Sequence, residues 1–480
     1  MRVQSRSADA VLPLTDRDAM PARDSARPRP ARLPQVDVMR LLICASVVAT
    51  HVVSNANPLE SGPANAVVNV LHYTRQAFFF ISALVLVHVH WSDVRADGRV
   101  VNAPGSLRRR VSVLGVPYLV WSTFYAVLGL ITAYSWGAFK QLPWTWFVGL
   151  LQGTDGYHMY FLLVSVEFAL IFPFFLKLLY ATRGHHAQLL IVSGLVELAT
   201  MALFHYVYQP DGWWRAFAGE SSLTAYQFWV ILGGVAAVHL DRFHGWAMRH
   251  QLMVGSALAG VCLAATGIFL VEVRTGELPE FAGRSLQPIT VPLSLAAIGA
   301  FYQFSVWLAR QRWAGRFVLS GTYLSFGIYL SHPAILTGLL YLQKRLPPAV
   351  ARHAVSVTTA IFLLDFFLAV GAAALFSRTP WSKALIGRPR RSRARRRAAE
   401  PAGAPAAGTD RAPADRAPAD RAPVDRAPAD RAPAGTEPAG TDQAGAGPTG
   451  SGPEESGPAG ADPLRPAASE TAAESVAASG

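Results

Sequence analysis

The chain has 480 residues, of which 51% are hydrophobic and only 15% are charged. Charged residues make up about 25% of an ordinary soluble domain, so the composition excludes that class. The net charge of +12 is also found in nucleic-acid-binding proteins, but here the arginines lie between apolar runs, which favours a membrane protein. Cys44 and Cys262 both lie within apolar runs, and their spacing indicates neither a disulfide framework nor a metal site.

The first apolar segment follows an N-terminal stretch, 1–34, that is rich in Arg, Asp, Pro and Ala. This stretch has no apolar core, so it predicts a disordered cytoplasmic arm rather than a cleaved signal peptide. Segments of about 20 apolar residues, long enough to cross the hydrocarbon layer, then follow one another. We expect ten spanning helices, at about 36–54, 67–90, 112–134, 158–180, 187–207, 222–240, 252–272, 287–308, 318–342 and 354–376. The Trp-rich stretch 135–157 is predicted to lie along the membrane interface.

The composition changes again after the last apolar segment. A dense run of arginines ends at Arg397, and a five-residue unit that begins DRAP repeats from Asp410 to Ala434. Low hydrophobicity and frequent proline predict a disordered tail, and no motif in it indicates a docking role. We therefore predict an all-α polytopic membrane protein of about ten transmembrane helices with disordered termini. Its parts are an N-terminal arm (1–34), a membrane domain (35–385) and a C-terminal tail (386–480).

Ten spans would place both termini on the same side of the membrane. The loops on that side carry more Arg and Lys than the loops on the other side, and both terminal segments are rich in Arg. Cytoplasmic segments of membrane proteins carry an excess of Arg and Lys. We therefore predict a multi-pass plasma-membrane protein with both termini in the cytoplasm.

The first helix, VDVMRLLICASVVATH, holds three ionisable side chains, which are costly inside a membrane. Asp37 and Arg40 are three residues apart and share a helical face. Arg40 and His51 are eleven apart, so they lie on nearly the same face and about 16 Å apart along the axis. This polar stripe suits a long anionic ligand that enters from the cytoplasm, such as an acyl-CoA. The alternative is a snorkelling arginine and a structural histidine, and the helix alone does not decide between them.

Further ionisable residues interrupt the later apolar segments. Arg75 lies near the outer end of the second helix, where it would contact an anionic or hydroxyl-rich substrate or else snorkel to the interface. The fourth helix begins near His158 and carries Glu167 about 13 Å deeper. His332 precedes Pro333 within the ninth helix. Each is a functional candidate. The alternative for Glu167 is a pair with a buried arginine or a hydrogen bond between helices. The alternative for His332 is a kink at Pro333 and a hydrogen bond to a neighbouring helix.

A basic run from Arg108 to Arg110 precedes the third helix. Such a run is ordinary in a cytoplasmic loop. Arginine also binds phosphate groups well, so Arg109 and Arg110 are candidates for holding the phosphates of CoA. Asp365 lies alone in the tenth helix with no motif around it, and we assign it no role.

Taken in order, these motifs resemble the acyltransferase 3 family of polytopic membrane acyltransferases. The first helix of that family carries an Arg, ten residues and a His, as Arg40 and His51 do here, with Asp37 in place of its usual acidic residue. The other matches are FFFISA, with Ala83 where Gly is usual; Arg109, Arg110, Pro117 and Tyr118; His158, Tyr160, Phe161, Leu162 and Pro173; and Ser325, Ile328, Tyr329, Leu330 and His332. The resemblance covers about residues 33–380, and the HYTRQAFFF run is most similar to members that acylate surface polysaccharides, including O-succinyltransferases.

The resemblance implies an enzyme with no bound cofactor that moves an acyl group, acetyl or succinyl, from cytoplasmic acyl-CoA to a hydroxyl of an extracytoplasmic polysaccharide or glycolipid. His51 would be the general base or acyl carrier, and Arg40, steadied by Asp37, would hold the donor. Arg109 and Arg110 would bind the CoA phosphates, while the acceptor side would comprise Arg75, His158, Glu167 and His332. The alternative is a transporter or flippase for a polysaccharide intermediate, although the sequence lacks the internal repeats typical of such carriers.

Overall fold

A computed structural model describes residues 32–94, 98, 100, 103–207, 219, 221–311 and 314–390. Most of the predicted N-terminal arm and nearly all of the C-terminal tail, with its repeats, lie outside this range. The helices are α1 (Pro34–Ala56), α2 (Gly62–Leu71), α3 (Tyr73–His90), α4 (Ala103–Thr132), α5 (Trp136–Gln152), α6 (Met159–Ala181), α7 (His186–Ala202), α8 (Gln227–Val238), α9 (Leu240–Arg249), α10 (Gln251–Arg274), α11 (Pro279–Ala282), α12 (Thr290–Ala309), α13 (Ala314–Gln343), α14 (Pro348–Ala351), α15 (Ala354–Phe376) and α16 (Ser382–Ile386). The described residues contain no β-strand, so the predicted all-α class is confirmed.

Nine helical spans in the described residues are long and apolar enough to cross a membrane. The sixth predicted span, 222–240, differs from the other nine because it belongs to a bent pair. Its helix ends at Val238, and α9 then leaves at an angle of 97°. The stretch 135–157, which we predicted to be interfacial, contains α5, whose Trp136 and Trp144 are exposed.

The bend before α9 follows from the sequence of that helix. Asp241 and Arg242 are exposed, whereas Ala247 is buried, so α9 is amphipathic and suits a surface better than a membrane interior. Two hydrogen bonds hold it against α12. The His244 ring Nδ1 lies 3.0 Å from the Tyr302 hydroxyl, and the Gln303 side chain donates to the Ala247 carbonyl at 2.9 Å.

If the bent pair is counted as one span, the described residues contain ten spans. An even number of spans places both ends of the described chain on the same side, and two contacts agree with this. Val38 at the start of α1 packs against Leu308 and Ala309 at the end of α12. The Tyr323 hydroxyl near the start of α13 donates to the carbonyl of Pro389, beyond α16. The two ends of the described chain therefore lie at one end of the bundle, which we call the near end, and the opposite end is the far end.

The apolar core forms two clusters on either side of α1. One contains residues of α3, α6, α8 and α12, and the other contains residues of α4, α13 and α15. Helices α3 and α8 approach closely, because a side chain at Gly233 would collide with the Phe80 carbonyl and Ala83. Small residues let membrane helices approach closely in this way.

Candidate functional site

Three histidines from distant parts of the sequence meet in the far half of the bundle. His51 lies on α1, His158 immediately precedes α6, and His332 lies on α13. The ring centroid of His332 is 5.5 Å from that of His51 and 5.7 Å from that of His158. We call these three residues the histidine cluster. His158 and His332 are 1% and 0% exposed, whereas His51 is partly exposed.

Tyrosines fix the position of the histidine cluster. The Tyr329 hydroxyl donates to the backbone carbonyl of His158, and the Tyr125 hydroxyl donates to the carbonyl of Leu330 at 2.7 Å. The ring of Tyr157 lies 4.7 Å from the ring of His51. The two hydrogen bonds connect α13 to α4 and to the segment before α6, so they tie together the backbone segments that carry His158 and His332.

Most of the buried histidine nitrogens lack partners. Both ring nitrogens of His158 and the Nε2 atom of His332 have no hydrogen-bond partner among the described residues. The other nitrogen of His332, Nδ1, lies 3.2 Å from the Ile328 carbonyl. Buried polar groups without partners are uncommon and costly in proteins. A set of them gathered at one point indicates a place where a ligand supplies the missing hydrogen bonds.

Asp365 on α15 is a buried acid to which the sequence analysis assigned no role. It is 0% exposed, and neither carboxylate oxygen has a hydrogen-bond partner among the described residues. It lies close enough to Tyr125 and Tyr157 to interact electrostatically with both hydroxyls. Its position inside a spanning helix was the available signal, because an acid there is costly whether or not a motif surrounds it.

Arg75 lies beside an open cavity at the far end, with a volume of about 290 Å³. Its guanidinium donates to the Ser285 hydroxyl at 2.6 Å and lies 5.5 Å from the ring of Tyr160. The cavity is also lined by Asn55, one turn beyond His51 on α1, and by Glu280. We call it the first cavity, and it lies next to the helix that carries His51.

Comparison with known proteins agrees with the resemblance carried by the motifs. The family model described as an acyltransferase domain, Acyl_transf_3, matches residues 33–378, well over half of the chain. The chain belongs to the acyltransferase 3 family. Among curated proteins and solved structures, none matches it. The matched range runs from the residue before α1 to just beyond α15, so it contains the whole histidine cluster and Asp365.

Glu167, another candidate in this acyltransferase 3 domain, makes a different kind of contact. Its Oε2 atom accepts the backbone N–H of Leu223 at 3.1 Å. Leu223 begins the turn that leads into α8, so the contact joins α6 to the start of a neighbouring helix. This is the interhelical hydrogen bond that the sequence left open as the alternative for Glu167.

The other candidates lie at the near end of the domain. Asp37 approaches Arg40 at 3.9 Å and also accepts from Arg32 at 2.6 Å. Arg109 is exposed, whereas Arg110 is half-buried with its guanidinium 4.4 Å from the ring centroid of Phe172. The near end of the domain therefore presents arginines both on the surface and between helices.

No group of three His, Cys, Asp or Glu side chains within the described ranges is arranged to hold a metal ion. Imidazole nitrogens accept and donate protons. A substrate hydroxyl that reaches the histidine cluster would therefore find both proton acceptors and proton donors.

Proposed function

We propose that this membrane acyltransferase transfers an acetyl or succinyl group from cytoplasmic acyl-CoA to a hydroxyl of an extracytoplasmic polysaccharide or glycolipid. The observation that carries the proposal is the convergence of His51, His158 and His332, with most of the buried ring nitrogens unpaired. Family membership supports acyl transfer as the reaction class. The acyl group and the acceptor are taken from the resemblance to members that acylate surface polysaccharides, and the polar groups at the two ends of the bundle suit them.

The chemical step needs one proton acceptor and a carbonyl. His51 takes the proton of the acceptor hydroxyl while its oxygen attacks the carbonyl carbon of the thioester. The new C–O bond forms, the C–S bond breaks, and the CoA sulfur leaves with the electron pair. The protonated His51 then returns its proton to that sulfur, so an ester and free CoA are the products. Proton transfer of this kind contributes about 10²–10⁴-fold to a rate.

The donor enters from the near end. Arg40 lies on α1 about 16 Å before His51, which matches a long, thin ligand whose charged part stays near the cytoplasm. Arginine binds phosphate through paired hydrogen bonds, and Arg109 is exposed for such contacts. Asp37 approaches Arg40 at 3.9 Å and would steady its side chain. Both termini are then cytoplasmic, in agreement with the arginine-rich segments at the two ends of the chain.

The acceptor enters from the far end. The first cavity is open, is lined largely by polar side chains and lies one turn beyond His51. Arg75 at its wall would donate to a hydroxyl or carboxylate of a sugar, and Asn55 would contribute an amide. Small-molecule sites have this form, a concave space with a few well-placed polar groups.

Reconstituted protein tests the proposal directly. Proteoliposomes would receive acetyl-CoA or succinyl-CoA on one side and, on the other, surface polysaccharide extracted from cells that lack this protein. We expect mass spectrometry to find new ester groups on the polysaccharide and free CoA on the donor side. Movement of unmodified polysaccharide across the vesicle, with no ester formed, would support the transporter alternative instead.

A further inference from the structure

A second cavity, of about 340 Å³, lies at the far end where α7 and α10 finish. It is separate from the histidine cluster, and its walls include His205, Tyr206, Glu272 and Phe281. His205 and Tyr206 lie in a π-helical turn, Leu203–Val207, that follows α7. Such turns are rare and are found frequently at functional sites.

The polar groups of the second cavity are only partly satisfied. The side chain of His205 is 2% exposed, and its Nε2 atom lies 3.4 Å from Glu272 Oε1. The other oxygen, Oε2, is buried and has no hydrogen-bond partner among the described residues. A carboxylate oxygen accepts hydrogen bonds only, so this position calls for a donor such as a hydroxyl or an amine.

An exposed aromatic ring stands beside that carboxylate. Tyr206 is 62% exposed, and its ring meets the ring of His205 edge-on with centroids 4.6 Å apart. A tyrosine presents an apolar face together with a polar tip. A sugar ring has the matching properties, because its C–H face is apolar and its rim carries hydroxyl donors.

The two cavities share a wall. The short helix α11 contributes Glu280 to the first cavity and Phe281 to the second. Phe281 is stacked between the guanidinium of Arg284, 4.5 Å from the ring centroid, and the ring of His205, 5.1 Å away. Arg284 in turn lines the first cavity. A chain of several sugars that crosses α11 would therefore contact both cavities.

We propose that the second cavity is a saccharide subsite that binds one sugar of the acceptor chain while another sugar of the same chain occupies the first cavity. Glu272 accepts a sugar hydroxyl there, and Tyr206 packs against the sugar ring. The acceptor is then an oligosaccharide or polysaccharide rather than a single sugar. This inference rests on the proposed function, because that function assigns the first cavity to the acceptor.

Binding measured without acyl-CoA tests the subsite whether or not an ester forms. The probes are the intact surface polysaccharide from cells that lack this protein and the single sugars released from it by acid hydrolysis. We expect the unaltered protein to bind the polysaccharide more tightly than the single sugars. Glu272→Gln should weaken polysaccharide binding by about tenfold or more, the value of one hydrogen bond to a charged group. Tyr206→Ala should also weaken it, because the sugar ring loses the apolar face against which it packs. Each variant should reduce the affinity for the polysaccharide more than the affinity for the single sugars, because only the polysaccharide occupies both cavities at once.

The matched control is Glu60→Gln, which alters an exposed far-end carboxylate outside both cavities. It should leave the affinity for both probes unchanged. Tyr206→Ala alters an exposed ring, so it serves if Glu272→Gln fails to fold. Unchanged polysaccharide binding in a folded variant, or an equal loss for both probes, would overturn the subsite. Loss of acyl transfer in His51→Ala with polysaccharide binding intact would leave both proposals standing, whereas an unaltered protein that binds but never acylates would refute the proposed function alone.

Discussion

Two buried polar regions of this protein differ in how their groups are satisfied. Glu197 on α7 is 3% exposed and accepts hydrogen bonds from Trp229 Nε1 at 3.1 Å and Gln227 Nε2 at 3.2 Å. In the histidine cluster, by contrast, both nitrogens of His158 and one nitrogen of His332 have no partner among the described residues. The hydrogen bonds of Glu197 connect α7 to α8. The unpaired nitrogens of His158 and His332 make no such connection to the described residues.

The difference separates structural polar groups from chemical ones. In a membrane interior a polar group is stabilising only when its hydrogen bonds are made within the protein. Glu197 meets that condition, so its substitution should lower the free energy of unfolding. The histidine cluster does not meet it, and we propose that its unpaired nitrogens serve a bound ligand rather than the fold. Four substitutions test this comparison.

The largest effect is expected at His51. His51→Ala removes the proton acceptor, so acyl transfer should fall by about 10²–10⁴-fold while membrane abundance and unfolding temperature stay near those of the unaltered protein. The rate is measured in proteoliposomes as ester formed per folded molecule. His353→Ala is the matched control, because His353 is exposed at the start of α15 and lies outside the cluster.

Full acylation by a folded His51→Ala protein would show that His51 does not take part in acyl transfer. The cluster would then have no assigned function, and a transport pathway would explain the membrane-embedded charges better. A collapse of abundance in His51→Ala would instead move this histidine into the structural class with Glu197.

Hydropathy and helical spacing predicted much of the fold. Apolar runs gave the helical class and nine of the ten spans close to their observed positions. The bend after α8 was not predictable from hydropathy alone, because hydropathy shows that the apolar run ends at Val238 but not the direction of the helix that follows. It takes the exposure pattern of α9 and its hydrogen bonds to α12 to show that this part lies across the bundle.

The candidate site was predictable only in part. The spacing of Arg40 and His51 follows from the geometry of a single helix, which a sequence contains. The meeting of His51 with His158 and His332 depends on how α1, α6 and α13 pack, which no local pattern encodes. Glu197 and Asp365 lie in ordinary apolar helices, and only their tertiary surroundings distinguish the satisfied acid from the unsatisfied one.

The second prediction concerns the donor end of the comparison. Arg40→Ala should raise the KM for acyl-CoA by about 10–100-fold, since hydrogen bonds to charged groups contribute about 1.5–3 kcal/mol. Arg40→Lys should restore only part of the affinity, because lysine lacks the planar fork of arginine. Steady-state kinetics at varied acyl-CoA measure both. An unchanged KM in a folded Arg40→Ala protein would show that the donor does not contact this residue.

The third prediction concerns Glu197, whose hydrogen bonds are made within the protein. Glu197→Gln replaces one acceptor oxygen by a donor that faces either Trp229 or Gln227, so one of the two hydrogen bonds is lost. We expect the free energy of unfolding in detergent to fall by about 1–3 kcal/mol. The acylation rate per folded molecule should stay unchanged. A stable Glu197→Gln protein with reduced acylation would contradict the structural role assigned here.

The smallest effect is expected at Asp365, which makes the sharpest contrast with Glu197. Asp365→Asn is the same change of acid to amide, but here neither oxygen accepts a hydrogen bond from the described residues. An uncompensated buried carboxylate is unfavourable, so the free energy of unfolding should stay constant or rise. We propose that the unpaired carboxylate of Asp365 accepts a hydrogen bond from the bound substrate, so acyl transfer should fall by about two- to tenfold, the value of one ordinary hydrogen bond. Unfolding in detergent and ester formation in proteoliposomes are measured on the same preparation. A loss of stability equal to that of Glu197→Gln would mean that Asp365 has a structural partner. The distinction between polar groups that stabilise the fold and polar groups that act on the substrate would then be wrong.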